Sequence, residues 1–284
     1  MDRHFLDIRS ALADASQGPI AALQSLVQVA RLCNGASFVD TNASAPLDQR
    51  AIKGDATDTA ILRFAESFGN GNNGVDVTSI IASHDKLFEI PFNSKNKWML
   101  TVVRERKLVD EKVQMGEPCM LVKGAPDVLF PACSWALNAD GRIVPFDDHV
   151  LQRVSALQSQ WSSQGQRVLA LCKKSLEGVK VDTNSTSAND IEEMLYSKLN
   201  DLTLVGLVGI RDPPRDDVKA AIKVIRRAGS DFYICRYITR SSFVPNLRCR
   251  VFMVTGDHQL TGVAIANQVR RPHFQPVSLC VFLT

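Results

Sequence analysis

The sequence predicts an α+β domain with an antiparallel sheet and flanking helices over residues 1–201, followed by a partial α/β domain over residues 202–284. Two observations predict this division. In the first part, strand-like runs are separated by short polar turns and bordered by amphipathic stretches, which favours an antiparallel sheet. In the second part, a continuous apolar run, a helix and another apolar run follow one another, which is typical of a parallel sheet with a crossover helix.

Three helices are predicted in the first domain. Residues 19–36 repeat apolar positions at spacings of three and four and end at an Asn-Gly pair, which is typical of a helix C-terminus. Residues 57–68 form a second amphipathic stretch, with Thr57 or Asp55 as its N-terminal cap. A third helix is predicted over 149–165, where a glycine ends it.

The predicted strands of this domain are short apolar runs bounded by polar turns. They are predicted at 86–92, 97–106, 118–124 and 166–176. The polar run 182–190 is interpreted as a surface loop. Residues 69–74 match the pattern G-x-G-x-x-G, but a helix precedes them where a dinucleotide site needs a strand. They are therefore interpreted as a loop that follows a helix.

The second domain begins with the apolar run 202–210, as expected of a strand that is buried on both faces. Residues 211–229 turn at two prolines and continue as a helix, and residues 251–257 form another apolar strand. This order predicts part of a Rossmann-like sheet.

The turn Thr255-Gly256-Asp257 stands at the end of that last strand. In open α/β sheets, ligands bind at the carboxyl ends of the strands, so these three residues are candidates for a phosphate or metal-ion site. The alternative is an ordinary turn in which Asp257 caps the following helix.

Composition excludes several classes of protein. The net charge is +3 and the basic residues are scattered, which argues against a nucleic-acid partner. The seven cysteines form no CxxC pair, which indicates a reducing compartment and argues against a disulfide framework or a metal site. The longest apolar runs, 202–210 and 277–283, are shorter than the roughly 20 residues of a spanning helix, so no membrane insertion by this chain is expected.

Two stretches of the first domain carry candidate binding residues. Phe92 offers a flat apolar surface for a base, and Lys97 follows it after a polar turn. Lys123 ends a predicted strand, and Gly124 beside it leaves space for an anion. The alternatives are a core phenylalanine, surface lysines and a solvated lysine at a strand end.

Six strings occur in order in this chain. They are GDATDTAIL, IPFNSKNKW, LVKGAPD, QRVLALC, GIRDPPRDDV and VFMVTGDH. In combination they resemble the type II P-type cation-transporting ATPases, and most of all the sodium/potassium-pump-like branch. The similarity covers roughly residues 20–229 and 251–269. By resemblance, the first domain is a nucleotide-binding domain and the second is part of a haloacid-dehalogenase-like phosphorylation domain.

The resemblance implies an ATP site in the first domain. Phe92 matches the residue that stacks on adenine, and Lys97 and Lys123 match lysines that line the pocket. Gly124 matches the glycine that lets the base approach the backbone, and Asp58 matches an acidic residue near the adenine.

Other matches concern the phosphates and the hinge. Arg167 matches an arginine that reaches the phosphates, and Asp212–Arg215 match one strand of the hinge between the domains. Thr255, Gly256 and Asp257 match the residues that surround the phosphoryl group during transfer, with Mg²⁺ bound to ATP.

The chain departs from the family pattern in what it lacks. The strings DKTGT, which holds the phosphorylated aspartate, and GDGxNDxP are absent. The resemblance therefore implies an ATP-binding fragment with no catalytic residue of its own, on the cytoplasmic side of a membrane in the parent pump and soluble as given. Its partners would be ATP and the remaining phosphorylation, actuator and transmembrane domains. A non-catalytic interaction module is the alternative, whereas an independent phosphatase would need a DxD pair that does not occur.

Residues 230–250 and 270–284 fit no part of the family pattern. A connection as long as the first exceeds the usual 4–6 residues of a compact domain. Both segments are interpreted as translated non-coding sequence, and residues 202–284 are expected to expose apolar surface.

Overall fold

Eight of the ten described strands build one large mixed sheet, and the other two form a small antiparallel sheet. The structure is a computed structural model that describes residues 20–39, 45–47, 49–68, 77–109, 112–179, 181, 186–212, 214–231, 255–270 and 280–282. The strands are β1 (Ser37–Phe38), β2 (Ile52–Lys53), β3 (His84–Ile90), β4 (Trp98–Val109), β5 (Lys112–Gly124), β6 (Cys133–Leu137), β7 (Ile143–Pro145), β8 (Gln166–Ser175), β9 (Leu202–Arg211) and β10 (Cys280–Phe282). The helices are α1 (Ile20–Leu32), α2 (Ala56–Ser67), α3 (Val77–Ala82), α4 (Pro126–Leu129), α5 (Asp148–Ser163), α6 (Ala188–Ser197), α7 (Asp217–Asp231) and α8 (Gln259–Arg270).

The three helices predicted in the first domain are confirmed as α1, α2 and α5. Asp55, and not Thr57, caps α2, because its Oδ1 accepts hydrogen bonds from the backbone N–H groups of Thr57 at 2.8 Å and Asp58 at 2.9 Å. The capping carboxylate satisfies two donors that the first turn of a helix leaves without partners. It therefore also fixes the backbone of Asp58.

The predicted antiparallel sheet is confirmed for the strands β3, β4, β5 and β8, each of which pairs antiparallel with the next. The full order is β3-β4-β5-β8-β9-β6-β7. The register of β4 and β5 places Trp98 opposite Gly124, and that of β3 and β4 places Ile90 opposite Leu100. Three strand termini therefore lie side by side at one end of the sheet: the end of β3, the start of β4 and the end of β5.

The strand β9 lies inside this sheet, whereas the sequence pattern placed it at the start of a second domain. All its residues from Leu202 to Gly209 are buried, as a continuous apolar run predicts. Such a run predicts burial on both faces without specifying which sheet provides it. One half of β9, Leu202–Leu204, pairs parallel with β6. The other half, Leu207–Gly209, pairs antiparallel with β10.

The helix α6 was not predicted, because residues 182–190 were interpreted as a loop. Ser187 caps α6 by accepting a hydrogen bond from the backbone N–H of Asp190 at 3.2 Å. The helix buries Ile191 and Leu195 and exposes most of its other residues. The polar residues of this region fit either a loop or the start of a helix, because serine and aspartate are common both in loops and at N-caps.

The core of the first unit lies where α1 and α2 meet the sheet. Apolar side chains of both helices share one cluster with residues of β4, β5, β8 and β9, among them Leu26, Ile61, Leu121, Leu171 and Val205, each 0% exposed. Full burial of a side chain of this size contributes about 1.5–3 kcal/mol. This cluster joins α1 and α2 to the sheet.

The chain divides into two compact units. The first comprises residues 1–158, 168–210 and 279–284, and the second comprises 159–167 and 211–278. In the second unit the helices α7 and α8 expose apolar side chains, with Val224 at 65% and Val263 at 52%. The predicted strand 251–257 and the segments 230–250 and 270–284 lie largely outside the described residues, as does the loop 69–74. Among the described helices, none is both long and apolar enough to span a membrane.

Replacement of the cap of α2 tests the local account of this helix. Asp55→Ala should lower the free energy of unfolding by about 1 kcal/mol, because two N–H groups of the first turn lose their acceptor. Urea denaturation measures the change. Asp140→Ala, in an exposed turn, is the control and should stay within about 0.5 kcal/mol of the unmodified chain. Equal effects of the two substitutions would contradict the capping role.

Candidate functional site

A buried ion pair joins α2 to the end of β5. The ammonium of Lys123 donates a hydrogen bond to Oδ1 of Asp58. Lys123 is 4% exposed and Asp58 is 6% exposed. The alternative of a solvated lysine at a strand end is therefore wrong. Burial of a charge costs free energy unless the charge is paired and hydrogen-bonded. The other ion pairs among the described residues are more exposed than this one.

A second donor holds the other oxygen of the carboxylate. The backbone N–H of Gly35 donates to Oδ2 of Asp58 at 2.8 Å. Asn34 fixes this turn: its Nδ2 donates to the carbonyl oxygens of Ala30 and Asp58, both at 3.1 Å, and its Oδ1 accepts from the N–H of Ala36 at 2.8 Å. Sequence reasoning named Asp58 but missed Asn34 and Gly35, because an Asn-Gly pair also predicts an ordinary helix end.

The ammonium of Lys123 retains donor capacity. A lysine ammonium has three N–H donors. Among the residues that the structure describes, Asp58 is the hydrogen-bond partner of Lys123, and there is no second one. Buried polar groups are normally satisfied. Two N–H groups of this buried ammonium are therefore without an acceptor among the described residues.

Cys33 lies close to this pair and stays neutral. Its Sγ donates a weak hydrogen bond to the carbonyl oxygen of Met99 at 3.6 Å. Burial raises the pKa of the Cys33 thiol to about 11, although the nearby Lys123 ammonium acts in the opposite direction. Near neutral pH, Cys33 therefore adds no negative charge beside Lys123.

Gly124 is explained by the neighbouring strand. A Cβ at this position would lie 2.6 Å from the carbonyl oxygen of Lys97 and 2.7 Å from Cβ of Trp98. Real Cβ atoms do not approach that closely, so β4 can lie this close to β5 only because position 124 has no side chain. The glycine that the sequence associates with an approaching ligand is thus also required by the sheet itself.

The loop between β3 and β4 presents Phe92 to solvent. Phe92 is 57% exposed, so the alternative of a core phenylalanine is wrong. Asn93 shapes the loop, because its Oδ1 accepts from the N–H of Asn96 at 2.7 Å and its carbonyl accepts from the N–H of Lys97 at 2.9 Å. Lys97 has a φ of +60°, and its Nζ lies 3.9 Å from the carboxylate of Asp127.

The loop is also tied to α6. Nδ2 of Asn96 donates to the hydroxyl of Tyr196 at 2.7 Å, and the Tyr196 ring contacts Trp98 edge-on at 5.3 Å between centroids. Trp98 is 4% exposed and begins β4. The unpredicted helix thus supports the loop that carries Phe92.

The second unit contains the other predicted site residues. Arg167 binds Asp257 through two hydrogen bonds, with Nε 2.7 Å from Oδ1 and Nη2 3.2 Å from Oδ2. The hydroxyl of Thr255 accepts from the N–H of Asp257 at 3.1 Å, and a Cβ at Gly256 would meet nothing within 4 Å. The Asp257 carboxylate is thus paired with Arg167. At the start of α8 it is His258 that accepts a backbone hydrogen bond, from the N–H of Leu260 to its Nδ1 at 3.3 Å.

The predicted residues therefore form two groups. Asp58, Phe92, Lys97, Lys123 and Gly124 belong to the first unit, and Arg167, Thr255, Gly256 and Asp257 belong to the second. Within the parts of the chain that are described, no three His, Cys, Asp or Glu side chains are grouped in a way that would hold a metal ion.

The fold and the site together define the class of protein. It is an α+β domain with a mixed sheet, a buried lysine-carboxylate pair and a loop that exposes a phenylalanine ring. A family model for the P-type ATPase, cytoplasmic domain N, matches residues 22–217. The chain belongs to this family, and the resemblance inferred from the six strings is confirmed. The match continues past residue 201 and includes the strand β9.

The chain is similar to several curated transport proteins. The sodium/potassium-transporting ATPase subunit alpha-A of Artemia franciscana is 32% identical over 244 residues, which cover 86% of this chain and 21% of the relative. The potassium-transporting ATPase alpha chain 2 of Oryctolagus cuniculus is 32% identical over 86% of this chain and 19% of its own length. The calcium-transporting ATPase 1 of Yarrowia lipolytica is 28% identical over 88% of this chain and 21% of its own length. The chain thus spans about a fifth of the length of these relatives.

Removal of one charge of the buried pair tests its structural role. Lys123→Met should lower the free energy of unfolding by about 3–5 kcal/mol, because the Asp58 carboxylate stays buried without its cation. The double variant Lys123→Met/Asp58→Asn should recover much of this loss, since the neutral amide still accepts from Gly35. Denaturant titration of both variants measures the difference.

Lys97→Met is the matched control for that pair. The Lys97 and Asp127 side chains are 48% and 56% exposed, so the loss should stay below about 1 kcal/mol. A Lys123→Met variant as stable as Lys97→Met would contradict the account of a buried, mutually dependent pair.

Gly124→Ala tests the close approach of β4 and β5. The added Cβ would collide with backbone, and we expect a loss of about 1–3 kcal/mol in the free energy of unfolding. Gly116→Ala on the same strand is the control, because its Cβ would lie 3.3 Å from the nearest atom, the Glu105 carbonyl oxygen. Thermal unfolding of both should rank Gly124→Ala as the less stable variant, and the reverse order would exclude this explanation.

Proposed function

We propose that the first unit binds ATP and serves as the nucleotide-binding domain of a P-type cation-transporting ATPase. The observation that carries this proposal is the Lys123 ammonium, which is 4% exposed, is compensated by Asp58 and has two N–H donors without an acceptor among the described residues. Membership of the domain N family supports it. The parent would couple ATP hydrolysis to ion transport, as the names of the similar proteins indicate.

Recognition of adenine follows from the chemistry of the pair. The 6-amino group of adenine donates hydrogen bonds, and the neighbouring ring nitrogen accepts them. Asp58 offers carboxylate lone pairs and Lys123 offers N–H donors, which is the complementary pattern. The exposed ring of Phe92 offers a stacking surface worth about 1–3 kcal/mol per base.

The phosphates need a cation whose charge is not already matched. Lys123 is neutralised by Asp58 inside the protein, whereas Lys97 is half-exposed and its Nζ lies 3.9 Å from the carboxylate of Asp127, which is itself exposed. We assign Lys97 to the phosphate chain in the first unit. Lys123 then acts as a hydrogen-bond donor toward the nucleotide more than as a counter-charge.

Phosphoryl transfer would be completed by parts of the parent outside this sequence. The acceptor aspartate belongs to a string that does not occur here, so this chain alone would form no phosphoenzyme. The second unit would be part of a haloacid-dehalogenase-like phosphorylation domain, reached through a hinge at Asp212–Arg215. There Thr255, Gly256, Asp257 and Arg167 would surround the transferring group.

Mg²⁺ would enter with ATP and offset part of the phosphate charge. Its ligands would be mainly phosphate oxygens, because the described residues offer no group of three His, Cys, Asp or Glu side chains. In the parent, the chain would lie on the cytoplasmic side of the membrane, in contact with the remaining domains of the pump.

Calorimetric titration of the 284-residue chain with ATP tests the proposal. Phe92→Ala should weaken binding by about 5- to 150-fold through lost stacking, and should leave the fold intact because the ring is exposed. Trp135→Ala removes another exposed aromatic side chain, at 44% exposure on β6, and should leave the affinity unchanged.

A folded chain that does not bind ATP would overturn the proposal and leave a non-catalytic interaction module as the function. Equal loss of affinity in Phe92→Ala and Trp135→Ala would overturn the assignment of the site to the β3–β4 loop.

A further inference from the structure

The turn that follows α1 is built around one buried amide. Asn34 is 8% exposed, and three hydrogen bonds use both ends of its side chain. One of them reaches the carbonyl oxygen of Asp58, which is 24 residues further along the chain. A cap that served α1 alone would need only the bond to Ala30. Of the other two bonds, the one to Asp58 connects the turn with the start of α2, and the one from the N–H of Ala36 closes the turn itself.

We propose that Asn34 and Gly35 form a positioning element that sets how the Asp58 carboxylate reads the 6-position of a purine base. This inference rests on the proposed ATP-binding function. Asn34 orients the turn, and Gly35 in turn donates its N–H to Oδ2 of Asp58 at 2.8 Å. Neither residue needs to contact the nucleotide.

The side chain of Asp58 turns about two torsions, and its hydrogen-bond partners restrict them. Lys123 holds Oδ1, and Gly35 holds Oδ2, so the plane of the carboxylate is fixed from both sides. Because Asp58 is 6% exposed, water would not replace a lost donor at full strength. Without the Gly35 contact, the carboxylate can turn about its last torsion while still paired with Lys123.

The Asp58 carboxylate lies close to the backbone at Gly35. A Cβ at Gly35 would lie 3.1 Å from Oδ2 of Asp58, a tight contact that the carboxylate would have to relieve by shifting. Gly35→Ala keeps the N–H and the Asn34 bonds but displaces the carboxylate. Asn34→Ala keeps the glycine but releases the turn. The two variants thus disturb the same carboxylate by independent routes.

The ratio of the affinities for ATP and for inosine triphosphate reports on the orientation of the Asp58 carboxylate. The 6-amino group of ATP donates to a carboxylate, whereas the 6-oxo group of inosine triphosphate accepts and is repelled by it. A fixed Asp58 should give the unmodified chain about tenfold or more tighter binding of ATP. Both variants should reduce this ratio by about three- to tenfold, mainly through weaker ATP binding.

The experiment is calorimetric titration of each folded chain with ATP and with inosine triphosphate. Asn138→Ala is the matched control, because Asn138 Oδ1 also accepts a backbone N–H at 2.8 Å, from Arg142 in the turn before β7. It should lower stability slightly and leave the ratio unchanged. Circular dichroism confirms folding, and Gly35→Ala decides the question if Asn34→Ala does not fold.

A reduced ratio in the Asn34 or Gly35 variants, with an unchanged ratio in the control, supports the inference. Unchanged ratios in folded Asn34→Ala and Gly35→Ala chains that still bind ATP would overturn it and leave the proposed function intact. Absence of ATP binding by the unmodified chain would overturn the proposed function, and this inference with it.

Discussion

The buried contact between Lys123 and Asp58 is the constraint around which the first unit is organised. Two charged side chains that are 4% and 6% exposed can stay buried only if the backbone places them next to each other. The sheet delivers Lys123 through the register of β5 with β4 and β8. The cap at Asp55 delivers Asp58 by fixing the first turn of α2. The start of the helix, the register of the sheet and the packing of the core together position this one hydrogen bond.

This arrangement changes the role that a lysine at a strand end would have by itself. A free ammonium would attract any anion, and phosphate above all. With Asp58 beside it, the net charge of the pair is zero, and its remaining capacity is a pattern of donors and acceptors. Such a pattern would discriminate among ligands by the geometry of their hydrogen bonds. Long-range attraction of an anion would then depend on exposed charged groups such as Lys97.

Sequence patterns predicted those parts of the structure in which local chemistry decides the outcome. The amphipathic stretches became α1, α2 and α5, and Asp55 is a cap because a carboxylate before a helix satisfies its free N–H groups. The strand β9 was assigned to the wrong sheet because a continuous apolar run is the same in either environment. Asn34 and Gly35 were missed as site residues because their partner, Asp58, is distant in sequence. Contacts of that kind are decided by tertiary packing, which no local pattern encodes.

The loop that carries Phe92 is held in shape without a ligand. Asn93 closes it from within, and the bond from Asn96 to Tyr196 anchors it to a helix that starts nearly 100 residues later. A base stacked on this ring, as proposed for ATP, would meet a preorganised surface and would not have to order a flexible segment first. Association should then be limited by diffusion and orientation of the ligand, with no slow conformational step before the stacking contact.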